Sequence, residues 1–113
     1  MITETIDLPL KKELAHLFTN QRENIDKAVR ALKLFAHPDR LKLLCVFCSG
    51  GEFTVKQLES YTGIRQSTVS QHLSLLKDRA VVTSRREGNF SLYQVANDDV
   101  MEMFDLIKRI YCK

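Results

Sequence analysis

Apolar residues recur three and four positions apart in two early stretches, as Leu10, Leu14 and Leu17 within 8–18 and as Ile25, Val29, Leu32 and Phe35 within 22–36. That period predicts two amphipathic helices. "AHPDR" interrupts it: Pro38 disfavours helix at His37 but suits the first turn of a new one, where Asp39 adds favourable charge. A third helix is expected from there to about Cys48, stopped by "SGGE", whose Gly50 and Gly51 can take the left-handed conformation that ends helices. Thr54 can cap a short fourth helix over 55–61, ended by Gly63, and "RQSTVSQHLSLLKDRA" reads as a fifth. A short helix, a glycine-containing turn and a second, polar helix describe a helix-turn-helix.

Beyond it the period changes. "VVTSRR" and "FSLYQVA" are rich in β-branched and aromatic residues, and "EGN" between them is hairpin-turn chemistry. Helical spacing returns over 98–111 through Val100, Met103, Phe104, Ile107 and Ile110, with Asn97 or Asp98 as cap. The expected architecture is mainly α with a two-stranded β wing, a single winged helix-turn-helix domain over 1–113 without repeats or low-complexity tracts.

On a helical wheel Val69, Leu73 and Leu76 fall on one side of the fifth helix and Ser67, Gln71 and Ser74 on the other. The first set is expected in the core and the second in a DNA groove, where serine bonds to bases or phosphates and glutamine pairs bidentately with adenine. Gln66 belongs with them, Thr68 and Ser70 flank the face, and Arg65 lies where a helix start approaches phosphate. In the wing Arg85 and Arg86 are candidates for phosphate or minor-groove contact, with Asn89 at the tip. Strand neighbours point to opposite faces, so only one of the two arginines need meet DNA. The competing reading is a polar surface helix and a solvated hairpin in a domain that binds no DNA. Leu75 fits either a thymine-methyl contact or packing beside the wing, and His72 either the core edge or DNA.

Composition sharpens this in two ways. Apolar residues make up 44% and charged residues 27% of 113 residues, as in an ordinary soluble domain. The net charge of +3 is modest, yet between Gly63 and Tyr93 five basic residues face two acids, which concentrates the excess in the helix-turn-helix and wing. No apolar run approaches the roughly 20 residues that span a bilayer, and the start resembles no secretory leader, so no membrane partner and a cytoplasmic setting are expected. His16, His37 and His72 suggest no nucleophile and base pair, and no phosphate-cradling glycine loop is present, so no enzyme and no cofactor are expected.

Three cysteines remain: Cys45, Cys48 and Cys112. In a reducing compartment, an odd count does not make a disulfide framework. Leu41, Leu44, Cys45 and Cys48 follow i, i+3, i+4, i+7, so the two early thiols share one stripe of the third helix. Small core hydrophobes, soft-metal or arsenic(III) ligands, and redox sensors are the alternatives.

"FAHPDRLKLL", "TVSQHLSLLKDRAVV" and "RREGNFSLYQV" resemble, in order, the conserved blocks of the ArsR/SmtB repressors, which are dimeric bacterial winged-helix proteins that leave operator DNA when an inducer binds. The resemblance implies a homodimer built from the first and last helices, with two recognition helices on a pseudo-palindromic operator roughly one turn apart. Two of the family's metal sites do not carry over. Thr54 and Lys56 stand where one has cysteines, and Asn97, Asp99, Ile110 and Lys113 where another has its ligands, so no metal is expected at either.

What does match is the subgroup of the BigR, SqrR and HlyU type that senses reactive sulfur, with one cysteine five residues after the arginine of "HPDR" and another near the end; here these are Cys45 and Cys112. The resemblance implies a repressor whose Cys45 and Cys112 are bridged by persulfide-derived sulfur, with Cys48 a possible accessory and sulfide-detoxification genes as the regulon. Lys42, Lys108 or Arg109 is expected to favour the thiolate. A direct disulfide needs Cα atoms within roughly 7 Å, and each added sulfur lengthens the link by up to about 2 Å, so a wider reduced pair would select polysulfide over simple oxidation. The alternatives are a repressor induced by arsenic(III) or another thiophilic metal held by Cys45, Cys48 and Cys112, and, in another class, a constitutive winged-helix binding module with inert core cysteines.

Overall fold

The computed structural model describes residues 8–112. Its elements are α1 (Leu8–Asn20), α2 (Arg22–Phe35), α3 (Pro38–Cys48), α4 (Val55–Thr62), α5 (Gln66–Asp78), β1 (Val82–Glu87), β2 (Phe90–Val95) and α6 (Asp98–Tyr111). By internal contacts the chain divides into two compact units that meet between Phe35 and Ala36.

In the first unit Gln21 alone separates the two helices. Helix-type bonds continue through it, Gln21 N–H donating to Leu17 O and Ile25 N–H to Gln21 O, each at 2.9 Å. None of the apolar residues of α1 is buried, and Leu10, Leu14, Leu17 and Phe18 lie open.

The second unit is the winged helix. Pro38 opens α3, and His37 just before it is extended, its Nδ1 accepting the Asp39 N–H at 3.1 Å. His37, expected as part of the helix start, is the N-cap itself. Leu43, Leu44 and Phe47 are wholly or almost wholly buried, while Cys45 and Cys48 are half-buried. The core stripe of α3 therefore runs through Leu43, Leu44 and Phe47, and the thiols flank it. The expected stripe of Leu41, Leu44, Cys45 and Cys48 shares only Leu44 with that centre, because α3 packs on α4, α6 and β2 at once.

Thr54 caps α4 with a reciprocal box: its Oγ1 accepts the Gln57 N–H at 3.1 Å, and its own N–H donates to Gln57 Oε1 at 2.9 Å. Gly63 ends the helix at φ 74°, a left-handed conformation glycine adopts without a Cβ clash, and its N–H donates to Glu59 O at 2.8 Å. This turn sets α5 against α4, with Leu58, Ile64, Val69, Leu73 and Leu76 buried.

β1 and β2 pair antiparallel from Val82 opposite Val95 to Glu87 opposite Phe90. Gly88 and Asn89 form the turn, with Gly88 at φ 60° in its first central position as a type II′ hairpin requires. A third partner was not foreseen: Phe53 bridges Tyr93 through paired backbone bonds of 2.9 and 2.8 Å, so the α3–α4 connection adds a one-residue strand to the wing. Asn97 caps α6, its Oδ1 accepting the Val100 N–H at 2.9 Å.

Ala80 is the one non-glycine described residue with positive φ, at 59°, where α5 turns into β1. A left-handed alanine costs roughly 1–2 kcal/mol, and glycine's extra freedom when unfolded returns about 0.4–1 of that. Ala80→Gly is expected to raise stability by about 0.5–1 kcal/mol in urea unfolding; a loss would show that the Ala80 methyl matters to the packing.

Candidate nucleic-acid interface and thiol seam

On α5 the two faces separate as the wheel requires: Val69, Leu73 and Leu76 are buried, Gln66, Ser67, Ser70, Gln71 and Ser74 are exposed, and Thr68 lies between. Arg65 immediately precedes the helix, exposed, and its side chain makes no capping bond. The first N–H groups of α5 therefore have no side-chain partner from that position, which is the arrangement that suits a phosphate oxygen. Gln66 and Asn89 line one cleft of about 320 Å³ between α4, α5 and the wing, with Thr54, Lys56 and Phe90. Helix start and wing tip, 23 residues apart in sequence, thus share a surface.

The two wing arginines differ. Arg85 Nε donates to Glu52 Oε2 at 2.7 Å and Nη2 to Glu52 Oε1 at 3.1 Å, with Glu87 Oε2 also 2.9 Å from Nη2. Hydrogen bonds to Glu52, then to Glu87, push the Arg85 guanidinium further up from its ordinary value. Arg86, exposed, forms no ion pair among the described residues.

His72 turns inward. Its ring meets His37 edge-on at 4.6 Å, and Nε2 lies 3.8 Å from Asp39 Oδ2. Burial first, then His37 and Arg40, lowers its pKa against the opposing pull of Asp39, which favours the neutral ring. Of the two expectations for His72, the geometry matches the core edge. Leu75 is half-buried on the helix that packs against β1, and Lys113 lies outside the described residues.

The thiols sit on a seam between α3 and α6. Asp105 and Lys108 lie i, i+3 on α6, and Cys112 is its C-cap, the Cys112 N–H donating to Lys108 O at 2.8 Å. Cys45 feels Cys112 and Lys108, whereas Cys48 feels Asp105, Cys45 and Lys108. α3 and α6 pack together, with Cys45 near Cys112 and Cys48 near Asp105. All three thiols are free, and only Cys112 is exposed.

The expectation that nearby cations lower the thiol pKa fails for α3. Burial pushes Cys45 up, the neighbouring Cys112 adds to it, and Lys108 only partly opposes. Cys48 is pushed up to about 11 by burial, then by Asp105 and Cys45, again against Lys108. Lys42 and Arg109 play no part in either shift. Sequence proximity located the cations but not the desolvation, which follows from helix packing.

Among the described residues the three sulfurs do not gather with ligand atoms within 4.8 Å of one another; His37, Asp39 and His72 do. That trio is a poor cation site, because His37 Nδ1 already accepts a backbone N–H and Arg40 lies beside His72. A metal-bound histidine normally donates through its other nitrogen, and here the polarity is reversed.

A polar recognition helix, a glycine-hinged turn and a basic wing joined to it define the winged helix-turn-helix class of regulator. The model of bacterial regulatory proteins of the arsR family matches residues 37–84. The biofilm growth-associated repressor of Agrobacterium fabrum is 35% identical over 113 residues, covering 99% of this chain and 95% of that one. The chain belongs to the arsR family of bacterial regulatory proteins. Reduced HlyU from Vibrio cholerae superposes with a TM-score of 0.76 at 34% identity, over 83% of this chain and 98% of that one. A homodimeric winged helix-turn-helix DNA-binding domain from Mycobacterium bovis, a possible ArsR-family regulator, does so at 0.72 and 30%, over 81% and 84%. No helix among the described residues is long and apolar enough to cross a membrane.

Each unit of raised pKa lowers the thiolate fraction at neutral pH about tenfold. With Cys48 at about 11, iodoacetamide at pH 7 is expected to label Cys112 first and Cys48 last, and Cys48 labelling to rise with pH well beyond pH 9. Peptide mapping reads the order, and early labelling of Cys48 would contradict the burial argument.

Proposed function

We propose that this protein is a homodimeric transcriptional repressor that binds a pseudo-palindromic operator through α5 and the wing and is released when persulfide-derived sulfur bridges Cys45 and Cys112. The observation that carries the reading is the α3–α6 seam, where the exposed terminal thiol lies within electrostatic reach of Cys45 with no bond between them. The similarity to a repressor and to a protein studied in its reduced form supports it.

Dimer formation is supported by the apolar surface left open on α1 and, separately, by Met103, Leu106, Ile110 and Tyr111 on α6. Faces of this kind call for a partner. Gln71, flanked by Ser67 and Ser74, is the candidate base reader, with Gln66, Thr68 and Ser70 beside it. Arg65, Arg86 and Asn89 serve the backbone, joined by Arg85 when it is free of its carboxylates.

Sulfur transfer begins at Cys112, which the donor reaches from solvent. Its thiolate attacks the outer sulfur of an organic persulfide, the organic thiolate leaves, and Cys112 carries a persulfide. A second donor converts Cys45 in the same way. The Cys112 persulfide anion then attacks Cys45 Sγ, the outer sulfur of the Cys45 persulfide leaves as hydrosulfide, and a trisulfide joins Cys45 of α3 to Cys112 at the end of α6. Tying a helix of the DNA-binding core to a dimer-forming helix changes the spacing of the recognition helices, and a coupling of roughly 1–3 kcal/mol is typical of such switches. Cys48, one turn further along α3 and beside Asp105 rather than Cys112, is left an accessory thiol.

After treatment with an organic persulfide, mass spectrometry is expected to find Cys45 and Cys112 peptides linked with added sulfur, and operator affinity to fall roughly 5- to 150-fold. Cys112→Ser should stay on DNA under the same treatment; an unlinked, unchanged wild-type protein would sink the sensor reading while leaving the DNA reading intact. Gln71→Ala is expected to lose roughly 1–3 kcal/mol of discrimination between operator and unrelated DNA in competition binding.

A further inference from the structure

The Glu52–Arg85–Glu87 cluster bears on how the wing meets DNA. Arg85 offers Glu52 its Nε and Nη2 together, at 2.7 and 3.1 Å, the parallel two-bond geometry a guanidinium also presents to phosphate. Glu87, two residues on along the same strand face, holds Nη2 as well, at 2.9 Å. Two carboxylates thus occupy the Nε and Nη2 donors that a phosphate would otherwise take.

A structural brace is the other role such a cluster could have, but the wing is already held without it. Phe53, next to Glu52, pairs with Tyr93 through two backbone hydrogen bonds, and its ring lies edge-on to Phe47 at 5.9 Å. Tyr93 is in turn the partner of Ser84, the residue before Arg85. The Arg85 side chain itself is 53% exposed and covers no core. Glu52 is less open, at 28%, so the cluster has an open side at Arg85 through which another anion can compete for the guanidinium. Next to it Arg86 has no such partner among the described residues.

We propose that Glu52 and Glu87 are an intramolecular substitute for DNA phosphate: they hold Arg85 in the free protein, and the duplex must displace them before this arginine adds to binding. The inference rests on the DNA-binding reading above and not on the thiol chemistry. Glu52 lies between the Gly50–Gly51 end of α3 and the capping residue of α4, so it can swing aside without moving either helix. The carboxylates weaken the general electrostatic attraction to DNA, which leaves the α5 contacts a larger share of operator recognition.

The test is fluorescence anisotropy with a labelled short mixed-sequence duplex, whose binding is governed by charge, across a series of salt concentrations. Wild type, Glu52→Gln, Glu52→Gln/Glu87→Gln, Arg85→Gln and the triple variant are compared, with thermal melts confirming that each is folded. The double variant is expected to bind more tightly, with a log–log salt slope steeper by roughly 0.9, for the one arginine freed to meet a phosphate. Arg85→Gln should weaken binding less in the wild-type background than in the double variant, where it removes the gain, a non-additivity that a mere change in net charge would not produce. An additive cycle, an unchanged slope or weaker binding by the double variant would overturn the proposal. Failure of the wild type to bind any duplex would instead sink the DNA-binding reading on which it rests.

Discussion

The burial of Leu43, Leu44 and Phe47 is the constraint on which the second unit depends. These side chains fix the rotation of α3 about its own axis, because turning the helix would expose the largest apolar groups it carries. Once that angle is set, Cys45 and Cys48 have one place to go, the flank facing α6. The same angle aims the C-terminal end of α3 at the wing, so that Phe53 reaches Tyr93 and Glu52 reaches Arg85. Thiol seam and wing are thus two consequences of one packed helix.

Charge follows from that packing. The α3 thiols lie beside Lys108 but in a setting where lost hydration outweighs its attraction, and both are pushed up. The exposed thiol is the one at the end of α6. A seam with two protonated, half-buried thiols and one accessible thiol has a natural order of events, in which solvent chemistry starts outside and is completed inside.

Much of this was legible from residue order alone. The capping residues Thr54 and Asn97, the helix-ending Gly63, the division of α5 into apolar and polar faces, and the hairpin after it are all local features, set by contacts within a few residues. Such features need no knowledge of the rest of the chain. The pairing of Cys45 with Cys112 came from the family resemblance and not from residue order, which left the thiols open between core, ligand and sensor; α3 and α6 do pack together.

Sequence by itself determined the elements, their caps and the kinds of side chain on each face, because periodicity and turn chemistry are short-range. Only the tertiary structure decided that His72 lies against His37 and Asp39, that Arg85 is held by a carboxylate 33 residues away, and that burial prevails over cations at Cys45 and Cys48. These outcomes depend on distance and hydration between segments far apart in the chain. No pattern along one segment encodes either, so they are settled when the segments pack.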